Sequence, residues 1–248
     1  MSANTNSGRL SGKVAVITGA GTGVGQACAW RLAREGASVV LVGRTAETLK
    51  ETEAQLPNEA QRLVYQGDVA SDSSMSGLAQ AVEKRFGRVD IVVHAAGINV
   101  PKRALDQLSV EDYRKVVGVN LDGAFLSAHY LLPMMRQQQS GTFIFIVSDA
   151  GLRANVKAGA AYVASKFGLQ GLVQSINLEE QPNGIRASAI FPGDINTPLL
   201  DRRPVPPPPE AREKMLQSDD LADCVLLVAT LPARAVVESM LVRPLNGG

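Results

Sequence analysis

The chain alternates short runs of apolar, β-branched residues with longer segments of helical periodicity, from one end to the other. The strand-length runs are residues 13–18, 38–42, 62–66, 89–94, 142–147, 185–191 and 236–242. The helix-length segments are residues 23–36, 47–56, 72–86, 160–180 and 221–230, with two helices or one bent pair over 110–139. Near-continuous Val and Ile runs between helices are typical of parallel strands that are covered on both faces. The pattern predicts an α/β, doubly wound fold of about seven parallel strands.

Composition excludes several classes of protein. With 248 residues, of which 45% are hydrophobic, the chain can bury one large core. Its 25 Lys and Arg residues balance 24 Asp and Glu residues, so it lacks the basic excess of a nucleic-acid-binding protein. Two cysteines and two histidines are too few for a disulfide scaffold or a metal site rich in these residues. No apolar run of about 18 residues and no signal pattern is present, so we expect no membrane partner and a cytoplasmic location.

The domain organisation is predicted to be simple. Residues 1–10 are expected to form a flexible tail, and residues 11–248 a single domain. One biased segment, residues 202–209 with the sequence RRPVPPPP, has three interpretations. It is an exposed polyproline loop, a Pro-rich motif that binds another protein, or a stiff lid near a ligand site.

The first predicted strand leads into a glycine-rich loop that opens the first helix. The loop contains Gly19, Gly23 and Gly25. Thr22 precedes Gly23, and Val24 lies between Gly23 and Gly25. Glycines permit unusual backbone angles and a close approach to a pyrophosphate, and the helix N-terminus offers free N–H groups. A glycine cluster alone is also compatible with a tight turn, but its place between strand and helix predicts a nucleotide site.

A tyrosine and a lysine lie four residues apart in the long predicted helix 160–180. Tyr162 and Lys166 therefore project from the same helix face. A phenol has a pKa near 10, and a neighbouring ammonium is expected to lower it. Tyr162 then donates or accepts a proton at a reacting oxygen. Such a pair is also common on helix surfaces, so the interpretation needs support from other motifs.

Those other motifs are present in order along the chain. Ser148 ends the fifth predicted strand and precedes Tyr162 by 14 residues, and Pro192 and Gly193 follow the sixth. With the TGxxxGxG loop, they resemble the short-chain dehydrogenases/reductases, and the resemblance extends over residues 12–248. It is nearest to NADP-dependent carbonyl reductases and 3-oxoacyl reductases. The resemblance implies a Rossmann fold, a homotetramer or homodimer, and hydride transfer between a nicotinamide and a ketone or secondary alcohol.

The resemblance also implies roles for four catalytic residues. Tyr162 is the acid or base, and Ser148 orients the substrate oxygen by a hydrogen bond. Lys166 supports the phenol and bonds the nicotinamide ribose, and Asn120 supports the lysine through water. Asn120 alone has a simpler interpretation, as a helix cap or a kink residue.

Cofactor contacts follow from the same resemblance. The second strand ends at Gly43, where NAD-binding proteins place an acid, and Arg44 follows. A carboxylate would repel a 2′-phosphate and an arginine would hold it, so we expect NADP(H) to be favoured over NAD(H). His94 stands where the family usually has asparagine, and we interpret it as a packed strand end. The implied contacts are Gly19, Thr22, Gly23, Val24, Gly25, Gly43, Arg44, Thr45, Asp68, Val69, Ala95, Ala96, Gly97, Tyr162, Lys166, Pro192, Gly193, Ile195 and Thr197.

The substrate is less constrained by the sequence. A substrate loop is expected over residues 197–216, and apolar lining at Val100, Leu152, Ala158, Phe191, Leu199 and Leu200. The main hypothesis is an NADP(H)-dependent reductase of a small-molecule carbonyl compound, or a dehydrogenase of the corresponding alcohol. The alternatives are a 3-oxoacyl thioester reductase and a dinucleotide sensor without catalysis. Gln139 and Asn183 lack the charge that would meet an acidic carrier protein, which disfavours carrier docking.

Overall fold

The computed structural model describes residues 8–245, and its centre is one sheet of seven parallel strands. The strand order is β3-β2-β1-β4-β5-β6-β7, so the order reverses between β1 and β4. This confirms the predicted doubly wound fold. The strands are β1 Val14–Thr18, β2 Ser38–Gly43, β3 Arg62–Gln66, β4 Ile91–His94, β5 Gly141–Ile146, β6 Ile185–Pro192 and β7 Ser239–Val242.

Helices cover both faces of the sheet. They are α1 Gly23–Arg34, α2 Ala46–Ala54, α3 Asp72–Phe86, α4 Val110–Val117, α5 Gly123–Gln138, α6 Ala160–Glu180, α7 Pro209–Arg212 and α8 Ser218–Ala229. Buried residues of α3, α5 and α6 form the core on one face, and those of α1, α2 and α8 form the core on the other. Both faces of the central strands are therefore apolar, which explains their continuous Val and Ile runs. Within residues 8–245, no helix is both long and apolar enough to cross a bilayer.

The helical region 110–139 resolves into two helices joined by a π-helical turn, Gly118–Asp122. Pro133 lies inside α5. Single π-helical turns of this kind are frequent at functional sites. The turn carries Asn120 into the interior, where its side chain is fully buried.

The two ends of the chain depart from the expected boundaries. Of the predicted tail, residues 1–7 lie outside the described residues, and residues 8–10 are packed. Leu10 is buried, its N–H donates to the Glu35 carbonyl oxygen, and Arg9 pairs with the Glu35 carboxylate. The last strand begins at Ser239, later than the predicted 236, because only Ser239–Val242 pairs with β6.

A buried carboxylate links the start of the sheet to the segment before β4. Asp90 accepts hydrogen bonds from the Val14 N–H, the Lys13 ammonium and the Arg88 guanidinium. Burial opposes ionisation, but the Arg88, Val14 and Lys13 donors together hold the pKa of Asp90 below its ordinary value. The ionised carboxylate therefore stabilises the fold at neutral pH.

We predict that Asp90→Asn lowers the free energy of unfolding by about 2–3 kcal/mol, because charge-assisted hydrogen bonds are lost. Urea denaturation at pH 7 measures it, and Asp106→Asn, at an exposed carboxylate, is the matched control. Since the folded pKa is depressed, the contribution is present above pH of about 4 and is lost as pH falls below it. An equal effect of the two variants at pH 7 would contradict this account.

Candidate active site

A cavity of about 820 Å³ opens at the carboxyl edge of the sheet. Its walls come from the segments that follow β1, β4, β5 and β6, and from the loop before α8. This is the crevice beside the reversal of strand order, where doubly wound sheets bind ligands. The predicted site residues that line it are Gly19, Thr22, Gly23, Val24, Gly25, Ala95, Ala96, Gly97, Ser148, Tyr162, Lys166, Pro192, Gly193, Ile195 and Thr197.

Two glycines of the loop, Gly19 and Gly25, are packed so tightly that a side chain is excluded at both positions. Gly19 has a φ of +67°, and a Cβ there would lie 2.9 Å from the Ala96 nitrogen. A Cβ on Gly25 would lie 2.3 Å from the Gly19 carbonyl oxygen. At Gly19 and Gly25 the loop therefore brings backbone, and not side chains, to the cavity wall, as a phosphate-binding turn requires.

The N-terminus of α1 faces the same cavity with free donors. Thr22 precedes the helix, and its side chain makes no capping hydrogen bond to the described residues. The first turn also contains no acidic residue. The first-turn N–H groups and the positive end of the helix dipole thus remain available to an anion. These features fit the pyrophosphate of a dinucleotide.

Lys166 is anchored in the floor of the cavity. Its ammonium donates to the Ile146 carbonyl oxygen at 2.9 Å, and the residue is only 3% exposed. The same nitrogen lies 5.5 Å from the centroid of the Tyr162 ring. Burial lowers the pKa of Lys166 to about 7. One of three ammonium donors is used by Ile146, which leaves two for a ligand.

The pKa of the Tyr162 phenol differs from the expectation. Burial raises its pKa to about 12, whereas the Ser148 hydroxyl and the charges of Arg103 and Arg203 lower it. The sequence predicts that Lys166 lowers this pKa, but the Lys166 charge has no such effect in the structure, where burial is the largest influence. Tyr162 is therefore a protonated phenol at neutral pH.

Ser148 lies at the carboxyl end of β5 and faces Tyr162. Its hydroxyl donates to the Asp149 carboxylate at 3.2 Å and accepts from the Ala150 N–H at 3.1 Å. The Ala150 contact fixes the hydroxyl at the start of a 3-10 turn, Asp149–Gly151. Ser148 and Tyr162 thus present two hydroxyl groups to the same part of the cavity.

Asn120 does not line the cavity but supports its wall. Its side chain accepts from the Ile98 N–H at 2.8 Å and donates to the Ile98 carbonyl oxygen at 3.0 Å. A Cβ on Gly97 would lie 3.5 Å from the Asn120 carbonyl oxygen and 3.8 Å from the Lys166 nitrogen. Asn120 therefore holds the segment that separates it from Lys166.

The remaining predicted cofactor residues lie outside the cavity, along the ends of β2 and β3. They are Gly43, Arg44, Thr45, Asp68 and Val69. The Ala20 N–H donates to the Val42 carbonyl oxygen at 3.0 Å, so the end of β2 adjoins the glycine loop. The Arg44 side chain is exposed and pairs with no carboxylate of residues 8–245.

Two of these residues have structural roles of their own. The Asp68 carboxylate accepts from the Ala70 N–H at 3.0 Å, as a turn residue does. Val69 is buried, and a Cβ on Gly123 would lie 2.7 Å from its side chain. The Val69 side chain is therefore part of the core and packs against the start of α5.

His94 is a packed strand end, as its position predicts. The ring is 1% exposed, and Nδ1 lies 3.2 Å from the Thr18 hydroxyl and 3.1 Å from the Ser127 hydroxyl. Burial lowers the pKa of His94 to about 3, with a smaller contribution from the charge of Lys166. The ring is therefore neutral, and its contacts with Thr18 and Ser127 link β4 to β1 and α5.

The substrate end of the cavity differs in part from the prediction. Ala158, Leu199 and Leu200 line it, but Val100 and Phe191 belong to the core and Leu152 lies outside the cavity. Sequence periodicity does not separate core from lining, because both require apolar residues. Sequence reasoning also missed Arg103, which lines the cavity although it is only 8% exposed. The sequence does not indicate this role of Arg103, because a single arginine in a loop is normally solvated.

The segment predicted as a substrate loop is closed at its base and borders the cavity. Ile195 and Leu216 form an isolated β-bridge, and the Asn196 N–H donates to the Leu216 carbonyl oxygen at 2.8 Å. The prolines at 204–209 lie within this loop and lead into α7, and most of them are exposed. Cavity-lining residues flank them on both sides, namely Leu199, Leu200, Arg203, Ala211, Lys214 and Met215.

Known proteins resemble this chain over most of its length. Residues 13–205 match the family model of the short chain dehydrogenases. An uncharacterised oxidoreductase of Staphylococcus epidermidis is 33% identical over 236 residues, which cover 95% of this chain and 99% of that protein. An alcohol dehydrogenase of the archaeon Thermococcus sibiricus, complexed with 5-hydroxy-NADP, superposes with a TM-score of 0.85 at 30% identity, covering 95% and 98% of the two chains. Levodione reductase superposes with a TM-score of 0.87 at 28% identity, covering 95% and 97%.

Proposed function

Since the chain belongs to the short-chain dehydrogenase family, we propose that it is an NADP(H)-dependent oxidoreductase of ketones and secondary alcohols. The observation that carries the proposal is the meeting of Ser148, Tyr162 and Lys166 in one cavity with the glycine loop. A bound nicotinamide supplies or accepts the hydride, and the chain supplies binding, orientation and the proton.

The proton is assigned to Tyr162. Its raised pKa keeps the phenol protonated at neutral pH, ready to donate to the oxygen of a carbonyl that is being reduced. Ser148 holds that oxygen by a second hydrogen bond, for which its single O–H turns from the Asp149 carboxylate to the substrate oxygen. In the opposite direction, the phenolate accepts the proton of the alcohol.

Lys166 supports this proton transfer. With a pKa of about 7 its ammonium is charged below neutrality and shares a buried site with the phenol. Its remaining donors suit the hydroxyl groups of a ribose, as the family resemblance implies. Asn120 acts as a positioning residue, because it fixes the Ile98 backbone beside the lysine.

The preference for NADP(H) rests on the end of β2. Gly43 offers no carboxylate to ribose hydroxyls, and Arg44 has an exposed guanidinium without a partner carboxylate in the described chain. An arginine at this position holds a 2′-phosphate by charge-assisted hydrogen bonds. The complex of the Thermococcus sibiricus alcohol dehydrogenase with an NADP derivative supports the same preference.

Apolar surface outside the cavity supports the proposed homotetramer or homodimer. Phe125, Phe167 and Leu178 project from α5 and α6 with exposures of 49%, 44% and 81%. Exposed aromatic and aliphatic residues on long helices are typical of faces that pair with a second copy.

The proposed function is tested by the oxidation of NADPH and NADH at 340 nm with free ketones, diketones and 3-oxoacyl thioesters. We expect turnover with NADPH and a free ketone. A higher kcat/KM for thioesters would favour the 3-oxoacyl reductase alternative. Binding of NADPH without turnover of any carbonyl compound would contradict the enzymatic proposal.

We predict that Tyr162→Phe lowers kcat by about 10²- to 10⁴-fold, because only the proton donor is removed. NADPH binding, measured by fluorescence titration, is expected to remain. Tyr113→Phe is the matched control, since Tyr113 lies on α4 outside the cavity. Undiminished turnover by Tyr162→Phe would exclude the phenol as the acid.

We predict that Arg44→Asp lowers kcat/KM for NADPH relative to NADH by about 10- to 100-fold, because the carboxylate repels the 2′-phosphate. Arg234→Asp, at another exposed arginine, controls for the change of net charge. An unchanged ratio would mean that another residue holds the phosphate.

A further inference from the structure

The substrate end of the cavity has an excess of positive charge. Arg203 pairs with Asp194, and Arg243 lies 3.7 Å from Asp149. Three further cationic residues line this end without an ion-pair partner in residues 8–245, namely Arg103, Lys157 and Lys214. The walls of the cavity have a low dielectric constant and concentrate the electric field of these cations inside it. The cavity therefore attracts anions.

Arg103 is the buried member of this group. Its guanidinium donates to the carbonyl oxygens of Val100 at 2.7 Å, Lys157 at 3.2 Å and Arg202 at 2.6 Å. These carbonyls belong to the loop after β4, the loop before α6 and the substrate loop. They account for three of the five N–H donors and neutralise none of the charge. Two donors remain, which suits an oxyanion.

A buried cation without a counter-ion is costly, so its position needs an explanation. Burial and the like charge of Arg203 lower the pKa of Arg103. Arg103 and Arg203 line the same cavity as the Tyr162 phenol, and their charges lower its pKa. A neutral side-chain donor would be sufficient to bond backbone carbonyls, so these bonds do not explain why a positive charge is buried here. An anion that binds in the cavity would explain it.

We propose that Arg103 binds an oxyanion group of the substrate, which is a carbonyl compound or alcohol bearing a carboxylate or a phosphate. The proposal rests on the function proposed above and specifies its substrate class. The apolar residues Ala158, Leu199 and Leu200 then contact the carbon chain between the anion and the reacting carbon.

Binding tests the subsite independently of turnover. We expect pentanoate, titrated calorimetrically into the NADP-loaded protein, to bind at least about tenfold more tightly than pentanamide. Arg103→Met is expected to abolish the difference, and Lys102→Met, at an exposed neighbour outside the cavity, to retain it. Equal affinities of the wild-type protein for the two compounds would overturn the proposal, whether or not the variant folds.

Kinetics identify the type of anion. We compare 4-oxopentanoate with its methyl ester, and dihydroxyacetone phosphate with dihydroxyacetone. The charged member of at least one pair is expected to have a kcat/KM at least about tenfold higher, mainly through KM, and Arg103→Met to remove this advantage. Arg103→Lys, which keeps the charge, is expected to restore part of it, as a purely structural clamp would not.

The two proposals fail in different ways. Turnover of neutral ketones at the same kcat/KM as their anionic counterparts would overturn the subsite and leave the oxidoreductase proposal standing. Binding of pentanoate through Arg103, without turnover of any carbonyl compound, would support the subsite and contradict the oxidoreductase proposal.

Discussion

All seven strands run in the same direction, so their carboxyl ends meet at one edge of the sheet, and the site depends on this constraint. The glycine loop follows β1, the Ala95–Gly97 backbone follows β4, Ser148 follows β5 and Pro192 ends β6. Reversal of the strand order between β1 and β4 opens a crevice among these segments. Helix α6 then places Tyr162 and Lys166 against it from the side.

Within that crevice, two cationic side chains are held by backbone carbonyls and not by carboxylates. The Lys166 ammonium is fixed by the Ile146 carbonyl oxygen, and the Arg103 guanidinium by three backbone carbonyls. Carbonyl dipoles orient these cations but leave their charge to act on the cavity. At and below neutral pH, a protonated phenol and two cations thus surround the space where an oxygen would gain negative charge during reduction.

Most of the fold could be predicted from the sequence, because parallel strands buried on both faces give continuous apolar runs. The glycine loop and the Tyr162–Lys166 pair could also be predicted, since local spacing determines backbone freedom and helix face. The pKa of Tyr162 could not, because it depends on burial by segments distant in the chain. The same holds for Arg103, whose three acceptors lie up to 99 residues away, and for Val100 and Phe191, which pack into the core.

The central claim is that the Tyr162 phenol transfers the proton, and pH profiles in both directions test it most directly. Because its pKa is raised, the phenol stays protonated and the phenolate fraction grows as pH rises. We therefore predict that kcat/KM for alcohol oxidation rises steeply from pH 7 to pH 9, approaching about tenfold per unit, while that for carbonyl reduction does not rise. An oxidation profile that is flat or falls over this range would contradict the claim.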